Sequence, residues 1–296
     1  GDELFAYIPS TSYKNLYRLS QKLYDANHRF FVDGGIKIVD ITDGDATRTI
    51  AVGTFGLGAQ GAWALDLTNI KGLSATTTDA NKVLLWELND TDSTDASRIG
   101  YMMNAPAIIS TANGASSKWV AIFGNGYNNS EADNAADSLG EGALLVVDLL
   151  TGNLEKTMLT GRGKAEDPMT ALKRPNSLTE PVIADKDLDG VGDTLYAGDL
   201  FGNVWKAYIA GKSVSSWAFD SGTGINPKPL FSAVSREGNS QPITQRPSVA
   251  YHPVEGLLVM VGTGKYVETT DVEVNNQSTQ TIYGLWDKPG RTTDIT

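Results

Sequence analysis

The 296-residue chain contains no cysteine and only two histidines. Disulfides and thiolate metal sites are therefore excluded, while the absence leaves the compartment open. His28 and His252 lie far apart in the chain, and neither stands near a nucleophile motif. Both are expected to pack or hydrogen-bond rather than to form a catalytic pair. Nucleophile-elbow, phosphate-loop and dinucleotide signatures are missing too, so the chain is not read as an enzyme. No apolar run approaches the roughly 18 residues of a membrane span. The best candidates are Leu144–Leu150, broken by Asp148, and Leu257–Val261. Basic residues are in deficit, 24 against 35 acidic ones, for a formal charge of −11. Nucleic acid and anionic membrane are therefore not expected as partners.

What is present points to β-structure. Hydrophobic residues make up 41% of the chain, enough for a substantial core, and 31 glycines punctuate short apolar runs. That pattern favours an all-β domain rich in turns, read as one unit over residues 1–296. Gly1 is not a natural start, which predicts a processed or excised piece with an incomplete first unit. One helix is expected over Ser12–Tyr24, where Leu16, Leu19 and Leu23 fall at helical spacing. In the first half, strands are expected at Arg29–Val32, Ile36–Ile41, Thr49–Thr54, Ala62–Leu67, Val83–Leu88, Pro106–Ser110, Trp119–Phe123 and Ala143–Leu149. The second half adds Pro181–Ala184, Thr194–Ala197, Val204–Tyr208, Trp217–Phe219, Pro247–Tyr251, Leu257–Val261 and Thr281–Trp286. Thr91–Ser97 and Asn128–Leu139 read as polar loops.

A weak repeat runs through this series. Asn104–Ile109, Thr179–Ala184 and Gln245–Ala250 share a polar–X–Pro–small/apolar shape, with Pro106, Pro181 and Pro247 spaced 75 and 66 residues apart. Each is followed by a hydrophobic strand closing on glycine: Ala121–Gly126, Leu195–Asp199 and Met260–Gly264. Proline at the start of a strand sacrifices no ladder hydrogen bond. The spacing exceeds the roughly 40–50 residues of common propeller repeats, but it suits blades carrying inserted loops. Four or five blades are expected, with the incomplete one at the N-terminus.

The densest chemistry lies in Asp185-Lys186-Asp187-Leu188-Asp189-Gly190-Val191-Gly192-Asp193. Carboxylates at loop positions one, three, five and nine, with glycine at six, follow the first three-quarters of an EF-hand calcium loop. Asp185, Asp187, Asp189 and Asp193 are the candidate side-chain ligands, and Val191 would offer its backbone carbonyl. The twelfth position, where an EF-hand carries glutamate, is Tyr196, and both flanks read as strands rather than helices. The expected site is thus a Ca²⁺ loop joining two strands. A solvated Asp/Gly turn would also use these residues, but it has no need of carboxylates at alternating positions. Asp90, Asp92 and Asp95 form a poorer cluster lacking the glycine and read as a solvated loop.

Longer stretches carry a family resemblance. Gly1–Ser10, His28–Gly34, Gly61–Thr68, Gly124–Asn128, Gly142–Gly152, Gly198–Lys206, Val261–Tyr266 and Gln280–Asp287 resemble, in order, the C-terminal propeller of the PilY/PilC family of type IV pilus proteins. The resemblance implies a modified quinoprotein-type β-propeller attached to a larger N-terminal region, at the pilus tip or outer surface. It also implies roles in pilus biogenesis, control of retraction, twitching motility and adhesion. Pilus subunits or minor pilins would then be partners, with a host-surface ligand as a further one. The family's calcium loop corresponds here to Asp185, Asp187, Asp189, Val191 and Asp193; Asp187 stands where relatives carry Asn in some cases, which adds charge. No Arg-Gly-Asp tripeptide is present.

Two alternatives share parts of this pattern. A quinoprotein oxidoreductase could use both propeller and calcium, and Asp148-Leu149-Leu150-Thr151-Gly152 echoes the Asp-x-x-Thr-Gly of its blades. The tryptophan that normally follows is missing, so a plain inter-strand turn is the simpler account. A structural integrin-α-like calcium propeller would repeat its loop in successive blades, whereas the complete loop occurs here once.

Overall fold

Short apolar runs separated by Gly, Asp and Asn turns fold into four antiparallel sheets. The computed structural model describes residues 5–72, 82–90, 98–112, 117–128, 139–211, 213–222, 224–273, 278–290 and 295. The first sheet orders β1 (Ile36–Asp43), β2 (Ala46–Thr54), β3 (Gly61–Asp66) and β4 (Leu84–Asn89). The second orders β5 (Ala107–Ser110), β6 (Trp119–Gly124), β7 (Ala143–Asp148) and β8 (Leu154–Leu159). In the third, β9 (Val182–Ala184), β10 (Thr194–Gly198), β11 (Asn203–Tyr208) and β12 (Ala218–Phe219) are joined by β13 (Phe231–Ser232), which also pairs with β11. The fourth has β14 (Ser248–Tyr251), β15 (Leu257–Gly262) and β16 (Ile282–Asp287). Each sheet is a meander, as expected for propeller blades. The first strands meet between sheets, β1 against β5 and β9 against β14.

The long apolar runs are explained by burial on both faces. Within β6, Ala121 and Phe123 join a core shared with the first sheet, while Val120 and Ile122 join one shared with the third. Leu145 and Val147 of β7 face the first sheet, and Leu144 and Val146 face the third. The same alternation sends Leu195 and Ala197 of β10 toward the second sheet and Tyr196 toward the fourth. A strand sandwiched in this way has apolar residues at every position, not every second one. The far face of the first sheet is covered by the N-terminal segment: Tyr7 packs on the Ala51, Phe55 and Trp63 cluster. Its hydroxyl donates to Glu87.

The proline repeat marks the blades. Pro106, Pro181 and Pro247 each stand one residue before the first strand of the second, third and fourth sheets. The glycines at the ends of the second strands mark where the chain passes close. A Cβ on Gly124 would lie 2.2 Å from the Leu178 carbonyl oxygen, and one on Gly198 would lie 2.3 Å from Ile243 Cγ2. Next to each glycine sits a fully buried polar residue. Asn125 donates to the carbonyls of Arg98 and Glu141 and accepts the Ala143 and Leu178 amides. Asp199 accepts from Asn176, Asn203 and the Trp205 indole.

Three expectations need correction. Arg29–Val32 is not a strand; the neighbouring Asp33 ties this stretch to the loop after β2 through the Phe55 carbonyl and Leu57 amide. The helical segment is a 3-10 helix over Ser10–Ser20, and Leu19 and Leu23 are 53% and 65% exposed. A leucine row without a core to cover it gives an α-helix little packing support. Among the described residues the sheet with fewest strands is the fourth, with three, while the first has four. Two strands were not anticipated. β8 is partly buried and carries three polar residues in the middle of its six, and β13 has only two residues. The polar loop at 91–97, including Asp92 and Asp95, lies outside the described residues, as does most of the loop at 128–139.

Candidate metal site

The acidic loop joins β9 to β10, so a two-stranded ladder clamps both of its ends. Thr194 pairs with Ala184, and the Asp193 amide donates to the Ala184 carbonyl at 2.9 Å. The Ile209 amide in turn donates to the Asp193 carbonyl at 3.0 Å, which fixes Asp193 against the continuation of β11. Inside the loop the chain turns through positive φ at Leu188 (62°) and Gly190 (88°). The left-handed turn is unstrained at glycine and costly at leucine. Leu188 is nevertheless held there with its side chain in solvent, 75% exposed.

The turn is organised by carboxylates accepting its own amides. Asp185 accepts Gly190 N–H at 2.8 Å and Asp189 N–H at 3.2 Å. Asp187 accepts Asp189 N–H at 3.3 Å, and Asp193 accepts Lys186 N–H at 2.6 Å. Tyr251, on β14, donates its hydroxyl to the Asp185 carbonyl and so ties the loop to the fourth sheet. The result is that Asp185, Asp187 and Asp193 bring carboxylate oxygens within 4.8 Å of one another. The side chain of Asp189 accepts Val191 N–H at 2.8 Å, outside that close set. Val191 is half-buried, and its amide is the group engaged.

This donor set fits calcium. Oxygens bound to one Ca²⁺ at about 2.3–2.6 Å lie at most about 5.2 Å apart, which accommodates the observed spacing. The ligands are all hard oxygens, and the backbone around them is a loop able to adjust. The Asp187 carboxyl is pushed above its ordinary value by local loss of hydration and by the charges of Asp189 and Asp193. A divalent cation at the centre of the cluster would reverse that penalty.

The other singled-out residues have structural roles. Asp148-Leu149-Leu150-Thr151-Gly152 forms the turn from β7 to β8, with Asp148 accepting the Leu150 and Thr151 amides. His28 packs edge-on against Phe30, and His252 stacks on Trp286 with ring centroids 4.1 Å apart. A polar centre between the third and fourth sheets was not anticipated: Asp287 accepts Tyr196 O–H at 2.5 Å and pairs with Lys206 at 2.7 Å. Asp199 could have been found by aligning Gly198-Asp199 with Gly124-Asn125 in the repeat.

Comparison with known proteins places the chain in a family. A family model described as the PilY1 beta-propeller domain matches residues 2–295. The chain belongs to the PilY1 β-propeller family. The type IV pilus biogenesis factor PilY1 of Pseudomonas aeruginosa strain PAO1 is 35% identical over 97% of this chain, which covers 23% of that protein. A PilY1 homolog of Xylella fastidiosa is also 35% identical over 97% of the chain, covering 18% of its own length. The crystal structure of the P. aeruginosa PilY1 C-terminal domain superposes with a TM-score of 0.76 at 31% identity, covering all of this chain and 57% of that one. The chain therefore spans about a quarter or less of the curated relatives it matches. It is a β-propeller of the PilY1 type, and those relatives are named as biogenesis factors rather than enzymes.

Proposed function

We propose that this chain is a calcium-binding, non-enzymatic β-propeller of a type IV pilus-associated surface protein. It would act at the cell surface or pilus tip, on pilus subunits or minor pilins, in biogenesis, retraction control, twitching and adhesion. The observation that carries the calcium reading is the convergence of Asp185, Asp187 and Asp193 in a loop clamped by a β-ladder. The pilus reading rests on membership of a family whose relatives bear that name. Calcium would hold β9, β10 and the Tyr251 contact of β14 in one arrangement, so that metal occupancy sets the shape of one rim of the propeller. Such coupling extends only as far as the ion prefers the ordered loop over the open one.

Titration calorimetry on the chain should give one Ca²⁺ bound, and none in Asp185→Ala or Asp193→Ala. Unchanged stoichiometric binding in both variants would remove the site. In cells, Asp193→Ala and Asp193→Lys separate two roles, because an ammonium supplies positive charge without coordination. Opposite effects on surface pili and twitching mark calcium as a switch. Normal piliation and motility in both variants would leave it a static staple and defeat the regulatory part of this reading.

A further inference from the structure

Among the described residues, three besides glycines have a left-handed backbone: Asn128, Lys173 and Leu188. Asparagine visits that region with little strain, and leucine does not. Leu188 sits at φ 62° in the fourth position of the acidic loop, two residues before Gly190 at 88°. No packing compensates: the side chain is 75% exposed and belongs to none of the apolar clusters formed by the described residues. The reversal at Leu188 is imposed by its neighbours. It turns the next two amides back toward the start of the loop, where Asp185 accepts Asp189 N–H at 3.2 Å and Gly190 N–H at 2.8 Å. Asp187 accepts the same Asp189 amide at 3.3 Å. An extended Leu188 would carry both amides away from those carboxylates. The conformation that gathers Asp185, Asp187 and Asp193 within 4.8 Å is thus the one that is costly at Leu188.

Two effects oppose this closed loop before any cation arrives. The three carboxylates repel one another, and Leu188 adds the strain of its Cβ against the following carbonyl. A divalent cation removes the first and leaves the second. The ladder at Ala184 and Thr194 holds only the ends of the loop, so the interior can relax by returning Leu188 to an extended backbone. A loop that is closed part of the time binds with its intrinsic affinity scaled by the closed fraction.

We propose that Leu188 is a positioning residue that sets the affinity of the loop for Ca²⁺. Its left-handed backbone lowers the closed fraction, so the loop fills at a higher calcium concentration than its carboxylates alone would require. The inference rests on the calcium reading above and deepens it. Calorimetry on the chain should show Ca²⁺ bound about five- to tenfold more tightly in Leu188→Asn than in wild type. Leu188→Gly should also tighten binding, by less, because glycine frees the open loop as well. Glycine adds no oxygen, so its gain excludes a new ligand as the cause. Leu188→Ala keeps the Cβ and should stay within about twofold of wild type, whereas Leu188→Val, branched at Cβ, should bind more weakly. Hydrogen exchange of residues 186–191 in chelator supplies a metal-free readout: it should slow in Leu188→Asn as the closed fraction rises. Equal affinity across the series would overturn the proposal. So would a gain in Leu188→Ala matching that in Leu188→Asn, which would assign the effect to the leucine side chain instead of the backbone. Unchanged exchange in chelator would overturn it too, since the loop would then be closed in wild type already. Failure here and failure of the calcium reading are distinguishable. The first leaves wild type binding one Ca²⁺ that Asp193→Ala loses; the second leaves no binding in any variant and takes this inference with it.

Discussion

Asp287 links two sheets through a buried polar centre, and its removal should be costly. The residue is 5% exposed at the end of β16. Its carboxylate accepts the Tyr196 hydroxyl at 2.5 Å and lies 2.7 and 3.0 Å from Lys206 Nζ. In Asp287→Ala both partners lose their acceptor at once. Breaking one half of a buried ion pair costs about 3–5 kcal/mol, because the remaining charge stays desolvated. The Lys206 side chain is 11% exposed and lines a surface cleft, so it can turn toward water. That relief places the expectation at the lower end, about 3 kcal/mol. For a chain of this length each kcal/mol lowers Tm by about 2 °C, giving a shift of about 6 °C.

The assay is urea unfolding followed by the fluorescence of the six tryptophans, one of which, Trp286, adjoins Asp287. Tyr196→Phe should cost less, about 1.5–3 kcal/mol, since only a hydrogen bond to a charged acceptor is lost. The informative variant combines Lys206→Met, Asp287→Leu and Tyr196→Phe, which leaves no buried polar partner behind. Removing both charges and the hydroxyl together should recover most of the loss, because a well-packed apolar group avoids the desolvation of all three. A loss below about 1 kcal/mol in Asp287→Ala, or a triple variant no better than Asp287→Ala, would refute the view that the three groups act as a coupled unit.

Asp167 predicts an acid-sensitive contribution. Its side chain is fully buried; burial alone would raise its pKa, but Arg174 and the Met169 and Arg174 amides outweigh this and hold it below the ordinary carboxylate value. A depressed native value means the unfolded chain binds the extra proton first. The stabilisation is therefore present above the ordinary aspartate pKa of about 3.9 and lost as pH falls through the native value. Asp167→Asn should flatten the stability profile in that window, and an unchanged acid limb in urea titrations would contradict the assignment. Gly124→Ala should destabilise by about 1–3 kcal/mol, since its Cβ would meet backbone carbonyls of Leu178 and Thr179 that have no side-chain freedom to yield. A chemical-denaturation midpoint equal to wild type would show that the junction between the second and third sheets relaxes more easily than its packing implies.

Much of the fold was legible because blades are built from local signals. Continuous short runs such as Ala143–Asp148, set between Gly142 and Gly152, suit strands covered on both faces, and the three prolines marked first strands because proline there loses no ladder bond. The failures have the same local origin. Arg29–Val32 carries strand-forming residues, but no neighbouring strand takes its amides, and the adjacent Asp33 bonds to a loop instead. Leu16, Leu19 and Leu23 have helical spacing, yet an apolar stripe specifies a helix only when something covers it. β8 went unseen because an outer strand needs burial on few of its positions.

The candidate metal loop and the buried polar centre at Asp287 divide along the same line. The carboxylate cluster of the candidate metal loop was visible in nine consecutive residues because a tight turn brings Asp185, Asp187 and Asp193 together; only the departure of Asp189 toward the Val191 amide depended on the detailed course of the turn. The polar centre could not be seen that way. Lys206 and Asp287 are separated by 81 residues, and Tyr196 and Asp287 by 91. In sequence, Asn203-Val204-Trp205-Lys206-Ala207-Tyr208 is an ordinary strand whose lysine would be assigned to solvent. The fold instead buries that lysine against a carboxylate from another sheet. Sites that depend on how blades stack are assembled by tertiary packing, and the charge of their walls becomes readable only once the sheets are in place.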